Sequence, residues 1–352
     1  MNLDLPAWYI SSVAAIFGAL VGSFLNVVIA RVPKGLSVVR PGSRCPRCLR
    51  PIAWHENVPV LSWLLLRGRC RGCRLPISIR YPLVELATAL LAVACVRQFG
   101  PTPWAVAAFA FLAALVALTY IDLDHWLLPR RITIPFIGLG AAASLLEGGP
   151  GIASSALGAA SGFAAFIVVG YVAERILKKE ALGGGDLWLF AMIGAWLGAK
   201  ALLPVALLAS AQGSIIGVIL LTVARRKARL QDPALALDAA EGEVAALDPT
   251  ADASAPEVST GGVFAADVPA AGAPADGGPA AGSPGAGDAV PLGPAPVTAL
   301  PPPKPTGDAE LDAWVPPEGA VPFGPFLALG AAEYLFFGER LVDGYLSLIA
   351  WK

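Results

Sequence analysis

The sequence predicts an all-α polytopic membrane protein with about eight transmembrane helices and a small cytoplasmic domain built around four cysteines. Its 352 residues are 56% hydrophobic and only 14% charged, and the mean hydropathy is +0.66. Soluble domains carry about 25% charged residues, so this composition excludes an ordinary soluble globular protein. Two further observations support the predicted class: apolar runs recur along the chain, and basic residues cluster between alternate runs.

Eight apolar runs approach the ~20 residues that a helix needs to cross the hydrocarbon core of a bilayer. Charged residues interrupt the last run, and the boundary between the sixth and seventh runs is placed at Lys200 and Pro204. We therefore predict eight spans, at about 8–30, 83–99, 103–121, 132–147, 151–173, 187–203, 204–223 and 323–349.

The distribution of basic residues predicts the orientation of these spans. Lys and Arg accumulate in cytoplasmic loops, and 11 of them lie between Arg31 and Arg80, against a single acid, Glu56. This loop is therefore expected to be cytoplasmic. The alternation of eight spans then places most of the 25 basic residues on the same side.

These features divide the chain into five segments. A first transmembrane helix (1–32) precedes the cytoplasmic four-cysteine domain (33–82), and a transmembrane core (83–229) leads to an Ala/Pro/Gly-rich insertion (230–317) and a last transmembrane helix (318–352). The insertion carries 13 of the 26 acidic residues and one lysine. Such a composition buries too little apolar surface to offset chain entropy, so we predict a disordered cytoplasmic segment. A docking segment for a partner is the alternative.

Four of the five cysteines form two C-x-x-C pairs that are separated by 21 residues. Four thiolates with this spacing can complete the tetrahedral shell of a structural Zn²⁺, and a reducing compartment disfavours disulfides. Redox chemistry and unrelated thiols are the alternatives. Gly68 and Gly72 are expected to permit the tight turns, and Cys95, inside a span, is expected to be a core residue. The predicted zinc ligands are Cys45, Cys48, Cys70 and Cys73.

Three carboxylates lie at the predicted cytoplasmic ends of spans, where acids are functional candidates. Asp122 and Asp124 close the third span, and Asp186 opens the sixth after three glycines. Two spans lie between them, so the chain returns to the same side and the acids can meet. Two carboxylates about 3 Å apart share a proton, so one can polarise a peptide carbonyl while the other activates water. The alternative is that all three are solvated, with Asp186 capping a helix.

The spacing of the first two acids limits the pairing. Asp122 and Asp124 are separated by about 200° around a helix, so at most one of them is expected to face Asp186. The glycines before Asp186 are expected to leave room for a substrate backbone. Glu85 and Glu174, near other span ends, are expected to form structural pairs with nearby arginines.

In their order along the chain, these motifs resemble the bacterial prepilin peptidases, also called type IV leader peptidases. These are membrane aspartic proteases of the Gly-x-Gly-Asp type. The resemblance runs through almost the whole membrane core and includes segments 22–28, 44–46, 56–63, 68–73, 80–85, 121–122, 181–186 and 322–326.

The resemblance implies that Asp122 and Asp186 form the catalytic pair, with Asp124 as the fallback for the first position. It implies cleavage of leader peptides from type IV prepilins and type II secretion pseudopilins at the cytoplasmic face of the bacterial inner membrane. It also implies N-methylation of the new N-terminal residue with S-adenosylmethionine, whose binding site stays unassigned. The expected partners are these substrates and the lipid bilayer, with no nucleic acid, and the oligomeric state is left open.

The chain departs from the family pattern at three places. The family usually has an acid where this chain has Arg130, often has a lysine where this chain has Trp188, and typically lacks the insertion 230–317. Two other functions compete with a peptidase. A transporter or channel would use carboxylates for protons or cations, but it predicts acids facing each other at mid-membrane. A membrane anchor whose zinc module only binds protein partners leaves the Gly-Gly-Gly-Asp segment unexplained.

Overall fold

The computed structural model describes residues 6–177, 184–231 and 321–350, and these residues are mostly helical. A 3₁₀ turn at Trp54–Glu56 and two isolated β-bridges accompany the helices in the described part of the chain. The α-helices of these ranges are α1 (Ala7–Arg31), α2 (Leu61–Leu65), α3 (Arg80–Phe99), α4 (Pro103–His125), α5 (Arg130–Ala143), α6 (Ile152–Leu177), α7 (Gly184–Leu197), α8 (Ala199–Gln231) and α9 (Gly324–Ala350).

A helical multi-pass membrane protein is confirmed by these elements. Each predicted span overlaps at least one helix, and within the described ranges five helices are long and apolar enough to cross a membrane: α1, α3, α4, α6 and α8. Helices α5 and α7 have 14 residues each, which is about 21 Å of helix and less than the ~30 Å of a hydrocarbon core. The count of eight spans therefore stays a prediction.

The predicted boundary between the sixth and seventh spans was wrong. Helix α7 ends at Leu197 and α8 begins at Ala199, so the break falls at Gly198 rather than at Lys200 and Pro204. Gly198 has φ +80°, a left-handed conformation that glycine adopts without a steric penalty. Pro204 lies inside α8, near the helix start. The glycine, rather than the proline or the charge, is therefore the residue that ends the helix.

Helix α4 lies at the centre of the helical core. It packs against α1, α3, α5 and α9, and its buried residues run from Trp104 to Asp122. A helix that is apolar on every side is suited to this position, because no face of it has to meet water or lipid headgroups. The buried stretch of α4 therefore carries Asp122, close to the C-terminal end of the helix, into the interior of the protein.

Helix α7 is held against its neighbours by three close contacts. Gly158 of α6 and Gly194 of α7 face each other, and a Cβ atom on either would overlap the carbonyl group of the other. The Trp196 ring stacks on Phe111 of α4 with centroids 5.1 Å apart, and its Nε1–H donates to the Phe136 carbonyl of α5 at 2.7 Å. Such small-residue packing with an interhelical hydrogen bond is typical of membrane helices. It fixes the position of α7 relative to α4 and α5.

The chain divides into two compact units, residues 1–224 with 302–352, and residues 225–301. The described part of the second unit is 225–231, which is the C-terminal end of α8. The predicted insertion 230–317 lies outside the described residues except for its first two positions, so its predicted disorder and the five segment boundaries stay predictions.

Candidate functional site

Two aspartates from separate helices come together, as the order of the spans predicts. Asp122 lies in the last turn of α4 and is only 5% exposed. The helix ends beyond it at Trp126, which has φ +52° and donates its N–H to the Asp122 carbonyl at 2.9 Å. Asp186 lies in the first turn of α7, and the charge of Asp122 acts on its carboxyl group. The end of one helix and the start of another thus place these two carboxyl groups within range of each other's charge, and we call them the acidic pair.

A third helix reaches this pair through Gly324, the first residue of α9. The Gly324 backbone N–H donates to the Asp122 carboxylate. A Cβ atom at Gly324 would overlap Asp122 Oδ2 and would lie 3.2 Å from Asp122 Cγ. The N-terminal N–H groups of a helix favour a negative charge, so α9 both orients this carboxylate and stabilises it.

Sequence reasoning missed this role of Gly324. It used segment 322–326 for the family resemblance and assigned no contact to it. One signal was present, because Pro325 directly after a glycine marks a helix start. That signal predicts a helix N-terminus in the last segment, but it does not predict which carboxylate the N-terminus meets.

Gly185, directly before Asp186, permits close packing within the chain itself. A Cβ atom at Gly185 would lie 2.8 Å from Leu128 Cβ, and Leu128 is buried. We had expected these glycines to leave room for a substrate backbone. At Gly185, the loop that follows α4 occupies that room.

Asp124 is engaged elsewhere. Arg80, at the start of α3, donates from one Nη1 atom to both oxygens of the Asp124 carboxylate, at 2.7 and 2.6 Å. The same guanidinium donates to the Tyr120 carbonyl at 3.2 Å and lies 4.5 Å from the centroid of the Tyr120 ring. Asp124 therefore joins α3 to α4, whereas Asp122 lies beside Asp186.

Two of the departures from the family pattern lie next to each other. The Arg130 guanidinium at the start of α5 is 6.0 Å from the centroid of the Trp188 ring on α7. Trp188 also makes an edge contact with Phe163 of α6, with centroids 5.1 Å apart. Where the resemblance leads us to expect an acid and a lysine, this chain has a cation facing an aromatic ring, which is also attractive.

Glu85 does not pair with an arginine as expected. It is 8% exposed, its Oε2 accepts the Val60 N–H at 2.7 Å, and the Ser23 hydroxyl also donates to it. Val60 has φ +61°, an unusual conformation for a β-branched residue. This carboxylate joins the four-cysteine domain to α1 and α3. Glu174 likewise forms no ion pair within the described part of the chain.

The two C-x-x-C pairs adopt the same local fold, 25 residues apart. In each, the N–H of the first cysteine donates to a carbonyl five residues later, at 3.0 Å for Cys45 and 2.9 Å for Cys70. A left-handed residue follows each second cysteine, Leu49 with φ +58° and Arg74 with φ +56°. One isolated antiparallel bridge closes each knuckle, Arg44 with Pro51 in the first and Arg69 with Pro76 in the second.

The two knuckles bring the four predicted metal ligands together. The sulfur atoms of Cys45, Cys48, Cys70 and Cys73 all lie within 4.8 Å of one another. The Cys45–Cys73 and Cys48–Cys70 sulfur distances are 3.9 and 4.0 Å. Thiolates about 2.3 Å from one tetrahedral metal are about 3.8 Å apart, so the cluster has the dimensions of a metal site.

Both glycines of the second knuckle are needed, for different reasons. Gly68 has φ +65°, as expected for a tight turn. Gly72 is not in the left-handed region. Instead, a Cβ atom there would lie 3.2 Å from Arg50 Cδ and 3.4 Å from Cys48 Sγ. Gly72 therefore permits the close approach of the two knuckles.

Electrostatics around the cluster favour a thiolate at Cys70 and link the knuckles. The backbone N–H groups of Cys73 and Gly72 donate toward the Cys70 sulfur and lower its pKa to about 7. Glu56 accepts from Arg50 at 2.9 Å and from Arg71 at 3.2 Å, one residue from each knuckle. The hydrogen bond from Arg50, reinforced by Arg71 against the effect of burial, holds the pKa of Glu56 below its usual value.

Two protein-family models match successive parts of the chain. Residues 16–99 match the family model described as "Bacterial Peptidase A24 N-terminal domain", and residues 109–218 match the one described as "Type IV leader peptidase family". A Myxococcus xanthus protein named prepilin leader peptidase/N-methyltransferase is 42% identical over 327 residues, which are 93% of this chain and 90% of that protein.

Other relatives share a shorter part of the chain. An Aeromonas hydrophila protein of the same name is 41% identical over 235 residues, 60% of this chain and 81% of its own. An Escherichia coli protein named type 4 prepilin-like proteins leader peptide-processing enzyme is 40% identical over 225 residues, 58% and 84% of the two chains. No solved structure matches the chain significantly.

Proposed function

Because the chain belongs to the type IV leader peptidase family, we propose that it cleaves the leader peptides of type IV prepilins and type II secretion pseudopilins. The observation that carries this proposal is the meeting of Asp122 and Asp186 at the ends of α4 and α7. Family membership supports the peptidase interpretation and not the transporter. The position of both acids at helix ends agrees with that choice.

The contacts of the two acids suggest separate roles. Asp122 receives the Gly324 N–H, which suits the ionised member of the pair, the one that takes a proton from water. Asp186 then carries the shared proton and donates it to the scissile carbonyl oxygen. The water oxygen adds to the carbonyl carbon. When the C–N bond breaks, Asp122 gives its proton to the leaving nitrogen and Asp186 recovers a proton from the hydroxyl group, which leaves a carboxyl and a new amine.

Zn²⁺ is the metal that we propose for the four-cysteine cluster. Four thiols at tetrahedral spacing fit zinc, and four protein ligands leave no open position for substrate, so the ion is structural. It would hold the two knuckles in register on α1 and α3. We propose that this domain, and with it the acidic pair, lies at the cytoplasmic face of the bacterial inner membrane, because arginines accumulate in cytoplasmic loops and this domain has many.

A second activity is proposed from the names of the relatives, several of which include N-methyltransferase. The new N-terminal amine, released beside the acidic pair, is the group to be methylated. S-adenosylmethionine is the proposed methyl donor. Asp122 lies at the end of α4, one of the helices that are long and apolar enough to cross a membrane, so the amine would be released at the membrane boundary.

The proposal is tested with the full-length chain in detergent or lipid discs. A prepilin that includes its leader and first hydrophobic helix is incubated with the protein, with and without S-adenosylmethionine, and the products are weighed by mass spectrometry. We expect cleavage in both samples and a gain of one methylene mass in the mature product only with the donor. A double variant, Asp122→Asn with Asp186→Asn, controls for a contaminating protease. Failure of the folded, zinc-loaded chain to cleave any of several prepilins and pseudopilins would contradict the proposal.

A further inference from the structure

A cavity of about 500 Å³ lies between the four-cysteine domain and the ends of α1 and α3. More arginines than glutamates line it, so its walls carry a net positive charge. The arginines are Arg31, Arg44, Arg47, Arg50 and Arg71, and the glutamates are Glu56 and Glu85. The acidic pair does not line this basic cavity, and the proposed cleavage reaction does not use it.

Both glutamates of the basic cavity already have hydrogen-bond donors. Glu56 accepts from Arg50 at 2.9 Å and from Arg71 at 3.2 Å, so these two arginines share one carboxylate. Glu85 accepts from a backbone N–H and from a hydroxyl group. The other arginines of the cavity therefore form no ion pair within the described ranges.

These other arginines are available to an anion. Arg31 donates to three backbone carbonyls of segment 37–42, at 2.8 to 3.3 Å, which fixes its guanidinium and uses three of its five N–H groups. Arg44 and Arg47 are exposed on the first knuckle. Because the planar guanidinium matches the geometry of a phosphate, such a cluster favours a phosphate group.

A smaller cavity of about 290 Å³ extends along α1 beside the basic cavity. The two cavities share Ser23, Val27 and Arg31 of α1. The smaller one continues to Phe24 and Leu20, which are 52% and 55% exposed. The positions 20, 24, 27 and 31 are three or four residues apart, so they lie on one face of the helix. We call this face the α1 lane: it is apolar at first and ends at a cation.

The α1 lane has the length of one leaflet of a bilayer. From Leu20 to Arg31 the helix rises about 16 Å, which is about half of the ~30 Å hydrocarbon core. Helix α1 is long and apolar enough to cross a membrane, and Arg31 is its last residue. The lane therefore fits an apolar chain of one leaflet, and the basic cavity at its end fits an anionic head.

We propose that the basic cavity and the α1 lane together bind an anionic phospholipid, with its phosphate among Arg31, Arg44 and Arg47 and an acyl chain along α1. Basic cavities beside membrane helices bind such headgroups. A free phosphate would use the arginines but not the lane. A zwitterionic lipid would use the lane, but it would bring a second cation among the arginines. The bound lipid joins α1 to the first knuckle, and this binding is independent of the proposed peptidase activity.

The test uses the full-length, zinc-loaded protein in detergent with equal amounts of phosphatidylglycerol and phosphatidylethanolamine. Native mass spectrometry counts the lipids that each chain retains, and we expect one phosphatidylglycerol on the unmutated chain. The double variant Arg44→Gln with Arg47→Gln should weaken this retention at least about tenfold, because two arginines that face the phosphate are lost.

The second knuckle offers a matched control for this double variant. Arg69 precedes the first cysteine of its knuckle and forms an isolated bridge, as Arg44 does in the first knuckle. Arg69 and Arg74 are exposed and do not line the basic cavity. Arg69→Gln with Arg74→Gln removes the same charge from the same domain and should keep the lipid.

A second pair of variants tests the α1 lane without changing the charge. Val27→Trp adds bulk where the lane joins the basic cavity, and we expect it to weaken retention to a similar extent. Ile16→Trp adds bulk at a position of α1 that is 64% exposed and lies outside both cavities, and it should keep the lipid. Zinc content is measured for every variant, and this pair decides the question if an arginine variant loses the metal.

Four results would overturn the inference. The unmutated chain retains no phosphatidylglycerol, or it retains phosphatidylethanolamine equally well. Both arginine double variants lose the lipid equally, which indicates diffuse attraction to the domain. Val27→Trp keeps the lipid as Ile16→Trp does. Finally, glycerol phosphate without acyl chains binds as tightly as the lipid, which indicates a site for free phosphate. Prepilin is absent from these measurements, so their outcome is separate from that of the cleavage assay.

Discussion

Replacing Gly324 by alanine should disable cleavage while leaving both aspartates in the chain. The new Cβ atom would overlap Asp122 Oδ2 and would lie 3.3 Å from Leu128 Cδ1, so the carboxylate has to move away from α9. Restoring van der Waals separation needs a displacement on the order of 1 Å. The same shift weakens the hydrogen bond from the Gly324 N–H, which otherwise orients the carboxylate.

The expected magnitude follows from the sensitivity of catalysis to position. A misplacement of about 1 Å costs about a hundredfold in rate, or about 2.7 kcal/mol of transition-state stabilisation. We expect kcat/KM for prepilin cleavage by Gly324→Ala to fall by about that factor. The variant should stay folded. Its free energy of unfolding, followed by thermal unfolding, should fall by about 1–3 kcal/mol, which is the usual cost of overpacking.

Gly138→Ala is the matched control. Gly138 lies inside α5, and an added Cβ atom there would meet nothing within 4 Å. This variant should cleave prepilin at the unmutated rate. Cleavage by Gly324→Ala within about threefold of the unmutated protein, much less than a 1 Å misplacement costs, would refute the argument that Gly324 positions Asp122. An equal loss in both variants would refute it as well.

The remaining predictions concern the metal site and the packing of α7. Cys70→Ser should lower bound zinc, measured by mass spectrometry of the purified protein, from about one ion per chain to a small fraction, because a structural site needs its four ligands. Cys95→Ala, outside the cluster, should keep the ion, and retention of zinc by Cys70→Ser would contradict the assignment. Gly194→Ala should lower stability by about 1–3 kcal/mol in thermal unfolding, because its Cβ atom would overlap the Gly158 carbonyl. Gly217→Ala is the control, because its added Cβ atom would meet nothing within 4 Å, and it should leave the stability unchanged. Equal stability of the two variants would show that α6 and α7 do not pack as described.

Much of the architecture could be predicted from the sequence, because the signals were periodic or local. Apolar runs predicted where the long helices lie, since burial in lipid demands continuous apolar stretches. The C-x-x-C spacing predicted the cysteine cluster, which the structure contains. Counting spans between Asp122 and Asp186 predicted that these acids lie on the same side, since an even number of crossings returns the chain there, and the charge of Asp122 acts on Asp186 in the structure. Their catalytic role stays a prediction.

The contacts that could not be predicted involve backbone groups or distant partners. The Gly324 N–H at Asp122 and the Val60 N–H at Glu85 leave no trace in residue type, because every non-proline residue carries the same donor. The partner of Asp124 was hidden in the same way, since Arg80 is 44 residues away and is one of many arginines. The helix break at Gly198 was available in principle, but proline and charge were weighed more heavily than one glycine among many.

Cleavage of a prepilin by Asp122→Asn, Asp186→Asn and Asp124→Asn, compared in one experiment, tests the central claim most directly. Each variant should be folded and zinc-loaded, because asparagine is nearly the same size as aspartate. Loss of either member of the acidic pair should lower the rate at least about a hundredfold, as expected for a general acid or base. Asp124→Asn gives up one partly exposed ion pair worth about 0–1 kcal/mol and should keep most of its activity. Normal cleavage by Asp122→Asn or Asp186→Asn, or loss of cleavage with Asp124→Asn alone, would contradict the account.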